Sequence, residues 1–200
     1  TVYLGRVVGR GGFQRLVAIK KMHPHLAQNV DFVSMFLDEA RLAASIHHPN
    51  VVGTLDIDEA EDGLSLVMEF IEGTSLFKLY SAARKENSRV PLPVVIRIMI
   101  DALAGLQAAH ELLNPDGFAL NLVHRDISPQ NILVGLDGIS RITDFGVARA
   151  EERLIETSDG SMKGKLAYMC PEQIRGEPLD RRADVYAAGV CFWELLAGRR

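Results

Sequence analysis

Three side chains near the middle of the 200-residue chain carry oxygen atoms at a spacing suited to chemistry on a phosphate group. Asp126 and Asn131 lie in the segment HRDISPQN, and Asp144 follows in the segment DFG. The Asp126 carboxylate can accept a proton from an attacking hydroxyl, and the oxygens of Asn131 and Asp144 are ligands that Mg²⁺ prefers. Either motif alone is weak evidence, but the ordered pair predicts metal-assisted phosphoryl transfer.

The composition is that of an ordinary soluble globular protein, with 48% hydrophobic and 24% charged residues. A net charge of −4 gives no general attraction to nucleic acid or to anionic membranes, so we expect neither as a partner. The most apolar run, 94–100, is short and contains an arginine, and no leader sequence is evident. Two isolated cysteines favour a reducing, cytoplasmic setting over a disulfide framework or a zinc site.

The elements that must position these side chains fall into two groups, and the first is rich in strands. Thr1–Val8 and Leu16–Lys21 are predicted strands, joined by a turn at Gly9–Gly12. Helical spacing of Phe32, Phe36, Ala40 and Ala43 predicts a helix over 31–46. Two further strands are predicted at 51–57 and 64–70, with an acidic turn at 58–63 between them.

The second group is mostly helical. We predict helices over 76–83, 93–110 and 184–196, the last ended by Gly198. Short strands at 132–134 and 140–143 surround the two motifs, and 150–165 is a polar loop. The expected fold is therefore α+β, with a small β-rich lobe containing one main helix, a hinge near 69–73, and a larger helical lobe.

Five motifs in a fixed order make the chain resemble the catalytic domain of a bacterial, eukaryotic-like (Hanks-type) serine/threonine protein kinase. They are Val17-Ala18-Ile19-Lys20, Glu39, His124-Arg125-Asp126 through Asn131, Asp144-Phe145-Gly146 and Cys170-Pro171-Glu172. The resemblance covers nearly the whole chain. It implies the two-lobed protein kinase fold, with the N-lobe over 1–70 and the C-lobe over 71–200. It also implies transfer of the γ-phosphoryl group of ATP to protein Ser or Thr hydroxyls.

The resemblance assigns roles to single residues. Asp126 is the expected base, Lys20 contacts the ATP phosphates, and Glu39 pairs with Lys20. Asn131 and Asp144 are the expected ligands of Mg²⁺ or Mn²⁺. At the adenine site, Met68 is the expected gatekeeper, and the backbones of Glu69 and Ile71 are expected to bind the adenine ring. The apolar side chains expected on either side of the ring are Val2, Ala18 and Leu133.

Further residues of the resemblance have a structural or regulatory reading. His124 is expected to be structural, and Phe145 to pack under the first helix. Asp184 either braces the backbone of the HRD segment or simply caps a helix. Protein substrates are the expected partners, and autophosphorylation is expected in the polar loop, at Thr157, Ser158 or Ser161.

The chain departs from the family's pattern in two places of the site. The family's usual Lys two residues after the base is Ser128, and its usual Thr in the polar loop is Lys165. We interpret this as a reciprocal swap, in which Lys165 restores the cation that Ser128 lacks.

The ends of the chain also depart from the family. Gly9–Gly12 is a turn and not the family's Gly-rich loop, because no glycine stands at Gln14 and too few residues separate it from Lys20. That loop is expected before Thr1, and further C-lobe helices after Arg200. Expressed alone, the 200 residues are therefore expected to aggregate or to have little activity.

Two other functions stay open on the sequence alone. A pseudokinase that only binds partners is the alternative reading, although Lys20, Asp126, Asn131 and Asp144 are all intact. A small-molecule phosphotransferase is less favoured, because Cys170-Pro171-Glu172 and the long loop before it are typical of enzymes with peptide substrates.

Overall fold

The first two strands form the predicted hairpin in the computed structural model, which describes residues 1–22, 30–60, 63–145 and 166–198. Strands β1 (Val2–Val8) and β2 (Gln14–Lys21) pair antiparallel around a turn at Arg10–Gly12. Gly11 and Gly12 have φ of 69° and 82°, a left-handed conformation that glycine adopts without a steric penalty. The predicted turn at Gly9–Gly12 is thereby confirmed.

The hairpin belongs to a four-stranded sheet of order β1-β2-β4-β3. Its other strands are β3 (Thr54–Ala60) and β4 (Gly63–Glu69). Helix α1 (Val30–Ala44) adds Phe36 and Ala40 to the apolar cluster beneath this sheet. The helix and the hairpin are thus placed as expected, apart from shifts of one to two residues at the helix ends.

Two predictions about this sheet were wrong in detail. Asp58 and Glu59 belong to β3 and do not form a turn, because their backbones pair with β4. Strand β3 lies at the edge of this sheet, so its acidic side chains can project into solvent without breaking the pairing. Val51 and Val52 do not continue β3. They turn toward the second sheet, where Val52 N donates to Ile142 O at 2.9 Å.

The second sheet is small and has the order β5-β6-β7. Its strands are β5 (Gly73–Ser75), β6 (Ile132–Gly135) and β7 (Ser140–Ile142). The sequence analysis predicted a hinge near 69–73 and no strand at this point, so it missed β5, which pairs antiparallel with β6. Ser75 then caps α2 (Leu76–Lys85) by accepting from Lys78 N at 3.3 Å.

The helical part is built around α3 (Leu92–His110) and α5 (Arg182–Ala197), with a short α4 (Pro171–Ile174) between them in sequence. The main core includes Ile98, Leu106 and Cys191, all nearly inaccessible to solvent. Gly198 ends α5 with φ of 68°, as predicted. The α+β class is confirmed, whereas the lobe boundaries at 70 and 71 remain predictions.

Helix α3 has the length and composition of a membrane span, with mean hydropathy of 1.6, although the sequence analysis expected no run of that length. Part of this apolar surface has another explanation in the fold. Val95, Ile98, Ala102 and Leu106 lie on the face of α3 that is buried in the main core.

Candidate active site

The backbone between α3 and β7 brings the two motifs together. The HRDISPQN segment leads directly into β6, and the β6–β7 hairpin returns the chain to it. Thr143 N donates to Asn131 O at 3.0 Å, which holds the residue before Asp144 beside the end of the first motif. Asn131, before β6, and Asp144, after β7, therefore lie at the same end of the β6–β7 hairpin.

The side chain of Asn131 orients Asp126. Its Nδ2 donates to Asp126 O at 2.8 Å and to Asp126 Oδ2 at 3.0 Å. With the amide nitrogen committed to Asp126, the amide oxygen is the atom of Asn131 that can serve a cation. The predicted base and one predicted metal ligand are thus fixed relative to each other.

The oxygen donors of Asn131 and Asp144 fit a hard divalent cation such as Mg²⁺. No group of three or more His, Cys, Asp or Glu side chains suited to a metal ion exists among the described residues. Mg²⁺ takes few protein ligands in enzymes that transfer phosphoryl groups and completes its shell with water and substrate phosphates.

Lys20 joins the four-stranded sheet to this motif. Its Nζ lies 2.6 Å from Asp144 Oδ1, and the two side chains are only 20% and 25% exposed. The predicted partner of Lys20, Glu39, lies on α1, but its side chain falls outside the described part of the chain. That pairing therefore remains a prediction.

Asp184 supports the HRD segment through hydrogen bonds to its backbone, which is one of the two roles that the sequence analysis left open. It is buried within the first turn of α5 and accepts from His124 N and from Arg125 N, both at 2.8 Å. Arg125 has φ of 69° and Asp144 has φ of 65°, which is uncommon for residues other than glycine. The sequence analysis missed both of these left-handed residues.

His124 is structural, as expected. Its Nδ1 accepts from Asp126 N at 3.3 Å, so the ring proton lies on Nε2, which donates to Thr143 O at 2.9 Å. The ring also packs against Phe145, with centroids 4.6 Å apart. His124 thereby links the HRD and DFG segments through their backbones. Packing of Phe145 under α1 remains a prediction.

A cleft of about 440 Å³ lies between the two sheets. It has the size of a small-molecule site. Every residue predicted to contact adenine lines it, together with Asp144: Val2, Ala18, Met68, Glu69, Ile71 and Leu133. Glu69 N donates to Gly53 O at 2.8 Å, so this amide is already used within the fold, and the contact of the Glu69 carbonyl with adenine remains a prediction.

Some residues of the site were not singled out from sequence. Gln130 and Thr143 line the cleft, and Gln173 Nε2 donates to Arg125 O at 2.9 Å. Tyr168 donates to the buried Glu194 on α5 at 2.5 Å. Only Gln130 had a sequence signal, because it lies inside the HRDISPQN motif.

Other predicted residues lie outside the described part of the chain. These are Lys165 and the candidate phosphorylation sites Thr157, Ser158 and Ser161. Ser128 is described, and it is 6% exposed in the loop that carries Asp126. The proposed swap between Ser128 and Lys165 therefore remains a hypothesis.

Comparisons with known proteins agree with this geometry. A family model described as protein kinase domain matches residues 5–200. The tyrosine-protein kinase MasK of Myxococcus xanthus is 48% identical over 98% of this chain and 30% of its own length. The serine/threonine-protein kinase PrkC of Bacillus subtilis is 34% identical over 97% of this chain and 30% of its own length.

A solved structure shows the same fold. A single-substitution mutant of the PknI kinase domain of Mycobacterium tuberculosis matches with a TM-score of 0.73 at 26% identity, covering 99% of this chain and 68% of that one. The expected β-rich N-lobe and helical C-lobe are thereby confirmed. The chain spans less than a third of the length of MasK and of PrkC.

Proposed function

The chain belongs to the protein kinase domain family, and from that premise we propose that it transfers the γ-phosphoryl group of ATP to Ser or Thr hydroxyls of proteins. The observation that carries this proposal is that Asp126, Asn131 and Asp144 lie together at one end of the β6–β7 hairpin. Lys20 is hydrogen-bonded to Asp144 at the same place. Family members use ATP and a divalent metal in general. We propose Mg²⁺ as that metal here.

In this mechanism each residue acts on charge or position. Asp126, held by Asn131, orients the acceptor hydroxyl and takes its proton. Lys20 supplies positive charge to the phosphates, while the cleft between the sheets holds adenine. A metal bound by Asn131 and Asp144 would neutralise charge on the phosphate oxygens. Catalysis thus consists of alignment plus electrostatic stabilisation.

The acceptor class rests on weaker grounds than phosphoryl transfer itself. PrkC, and PknA of Corynebacterium glutamicum at 34% identity, are named serine/threonine kinases, whereas the more similar MasK is named a tyrosine kinase. Pro129 favours Ser or Thr acceptors, and Ser128 weakens that preference. We propose Ser/Thr and make Tyr an outcome of the test.

The test is radiolabel transfer from γ-labelled ATP to generic protein substrates, using the full-length protein. We expect Asp126→Asn to abolish transfer and Asp116→Asn, on an exposed loop, to leave it unchanged. Analysis of the labelled amino acid then decides between Ser/Thr and Tyr. Nucleotide binding without transfer by the wild type would instead favour the pseudokinase alternative.

We also propose that Lys165 replaces the cation missing at Ser128. Loss of one cation that stabilises the transition state lowers a rate by about 10²-fold. Lys165→Ala should therefore lower kcat by about that factor, and adding Ser128→Lys should restore much of it. An unaltered kcat in Lys165→Ala would refute the swap.

Two further proposals concern regulation and location. We propose autophosphorylation at Thr157, Ser158 or Ser161, which mass spectrometry of phosphopeptides after incubation with ATP would test. We propose a cytoplasmic location for this part of the protein, which cell fractionation would test.

A further inference from the structure

His110, the last residue of α3, contacts Asp184, the residue that supports the backbone of the HRD segment. Its Nε2 lies 2.7 Å from Asp184 Oδ2, and the two side chains are only 8% and 1% exposed. The same Oδ2 accepts from His124 N, while Oδ1 accepts from Arg125 N. A side chain on α3 therefore shares one carboxylate with two consecutive amides of the HRD segment.

His110 adds a third hydrogen bond to a carboxylate whose two oxygens already accept from two amides. The last torsion of an aspartate is broad and roughly two-fold, so Asp184 alone does not select the plane in which both oxygens meet their amides. A third donor at Oδ2 strengthens the preference for that plane. Burial makes the donor more important, because a buried polar group that lacks a hydrogen-bond partner destabilises the fold.

The amides that Asp184 holds adjoin the reacting group. Arg125 is left-handed, with φ of 69°, and the next residue is Asp126. A left-handed arginine persists only where its surroundings hold it. The two Asp184 bonds and the bond from Gln173 to Arg125 O provide that support.

We propose that His110 is a positioning residue for Asp126. It contacts neither nucleotide nor acceptor, and it acts by orienting Asp184, which in turn holds the backbone that carries the base. The proposal rests on the proposed kinase function for its effect on rate. Its effect on the backbone amides can be measured without any activity.

Helix α3 offers a matched control. One face of the helix presents Arg97, whose Nε lies 3.0 Å from Oδ1 of the buried Asp101. Asp101 Oδ2 accepts from Ser140 N at 2.9 Å. Ser140 is the first residue of β7, whereas the HRD segment precedes β6. Arg97→Ala therefore removes a donor from a buried carboxylate, as His110→Ala does. The carboxylate that it affects is Asp101, which holds β7 and not the HRD segment.

The experiment compares wild type, His110→Ala, His110→Gln and Arg97→Ala in the full-length protein. Hydrogen–deuterium exchange is followed at the amides of His124, Arg125 and Ser140, and kcat and the KM for ATP are measured with a protein substrate. Glutamine is the rescue variant, because its amide N–H reaches nearly as far as Nε2.

We expect His110→Ala to speed exchange at His124 and Arg125 about 10-fold and to lower kcat about 10-fold with little change in KM. His110→Gln should restore both to within about 3-fold of wild type. Arg97→Ala should affect Ser140 and leave His124 and Arg125 unchanged.

Three results in the exchange experiment would overturn the inference. They are unchanged exchange in His110→Ala, equal acceleration at Ser140 in that variant, and failure of glutamine to restore slow exchange. If the wild type transfers no phosphoryl group, the kinase proposal fails while the exchange data still decide the role of His110. If the wild type is active and His110→Ala is equally fast, only the role of His110 fails.

Discussion

The ion pair between Lys20 and Asp144 joins two residues that the chemistry needs separately. Lys20 is expected to meet the ATP phosphates and Asp144 a metal ion, yet the two groups contact each other at 2.6 Å. Both are partly buried, so each charge has lost some of its hydration and the partner compensates for it. Nucleotide and metal bound as proposed would have to replace this contact with interactions of similar strength.

Replacement of Lys20 by methionine should remove activity, and it should also lower stability because Asp144 loses its partner. Methionine keeps most of the apolar length of the side chain but not its charge, so we expect kcat/KM to fall by about 10²–10³-fold. Steady-state kinetics on the full-length protein measures the change.

The matched control for this change is Arg15→Met on the same strand. Arg15 makes only an exposed contact of 3.5 Å with Glu69, and such pairs contribute little. Activity in Lys20→Met close to that of Arg15→Met would show that the ammonium group is dispensable.

Strand β5 connects the hinge to the small sheet through a close backbone approach. A Cβ on Gly73 would lie 2.1 Å from Val134 O, and a backbone carbonyl in a paired strand cannot move aside without breaking the ladder. Glycine is needed here because of space and not because of φ. The sequence analysis placed the same glycine in the expected hinge near 69–73.

Gly73→Ala should therefore destabilise the protein by about 1–3 kcal/mol, the range for overpacking at a tight site. Chemical denaturation gives the free energy of unfolding. Gly53→Ala is the control, because a Cβ there would meet only the flexible end of Glu69 at 3.9 Å. Equal stability of the two variants would contradict the close approach.

The start of α5 is held by Asp180 and Arg182. Asp180 Oδ1 accepts from Arg182 N at 2.9 Å, and the guanidinium also donates to both carboxylate oxygens. These bonds lower the pKa of Asp180 from 3.8 to about 2. Because the folded pKa is depressed, this stabilisation is present above the unfolded pKa and is lost as pH falls through about 2.

Arg182→Ala should raise the pKa of Asp180 part of the way back toward its usual value. Only the guanidinium is removed, and the backbone N–H of residue 182 still favours the ionised carboxylate. NMR titration of the Asp180 carboxyl carbon measures the change. A pKa that stays at about 2 would show that the backbone bond alone sets it.

At the scale of the whole molecule, the order of the elements was predictable from sequence. Alternation and turn residues marked the hairpins, and the apolar stripe containing Phe36 and Ala40 marked α1. The HRDISPQN and DFG motifs located the site because their chemistry depends on residue type and spacing. Local patterns of this kind are visible in a single chain.

Features that depend on distant contacts were not predictable in the same way. Strand β5 exists because β6 pairs with it, and Val52 joins the second sheet because Ile142 O accepts its N–H. The left-handed Arg125 is held by Asp184, which lies 59 residues further along the chain. No local pattern encodes these partners, since each is set by tertiary packing.

The cleft between the sheets predicts that nucleotide binding stabilises the kinase domain, and that it does so more strongly when metal is present. Its walls come from both sheets, so a ligand there adds contacts that exist only in the folded state. At 100 times its Kd, ATP with Mg²⁺ should add about 2.7 kcal/mol. For a domain of roughly this size that is a rise in melting temperature of about 5–10 °C.

Differential scanning fluorimetry with ATP, with and without EDTA, measures this rise, and Asp144→Asn supplies the matched variant. Asparagine tolerates the left-handed backbone at φ of 65°, so the change removes the charge without forcing the chain to move. We expect the rise to shrink in EDTA and to become independent of metal in Asp144→Asn. An equal rise under all conditions would show that nucleotide binds without the metal site, and would remove Asn131 and Asp144 from the proposed mechanism.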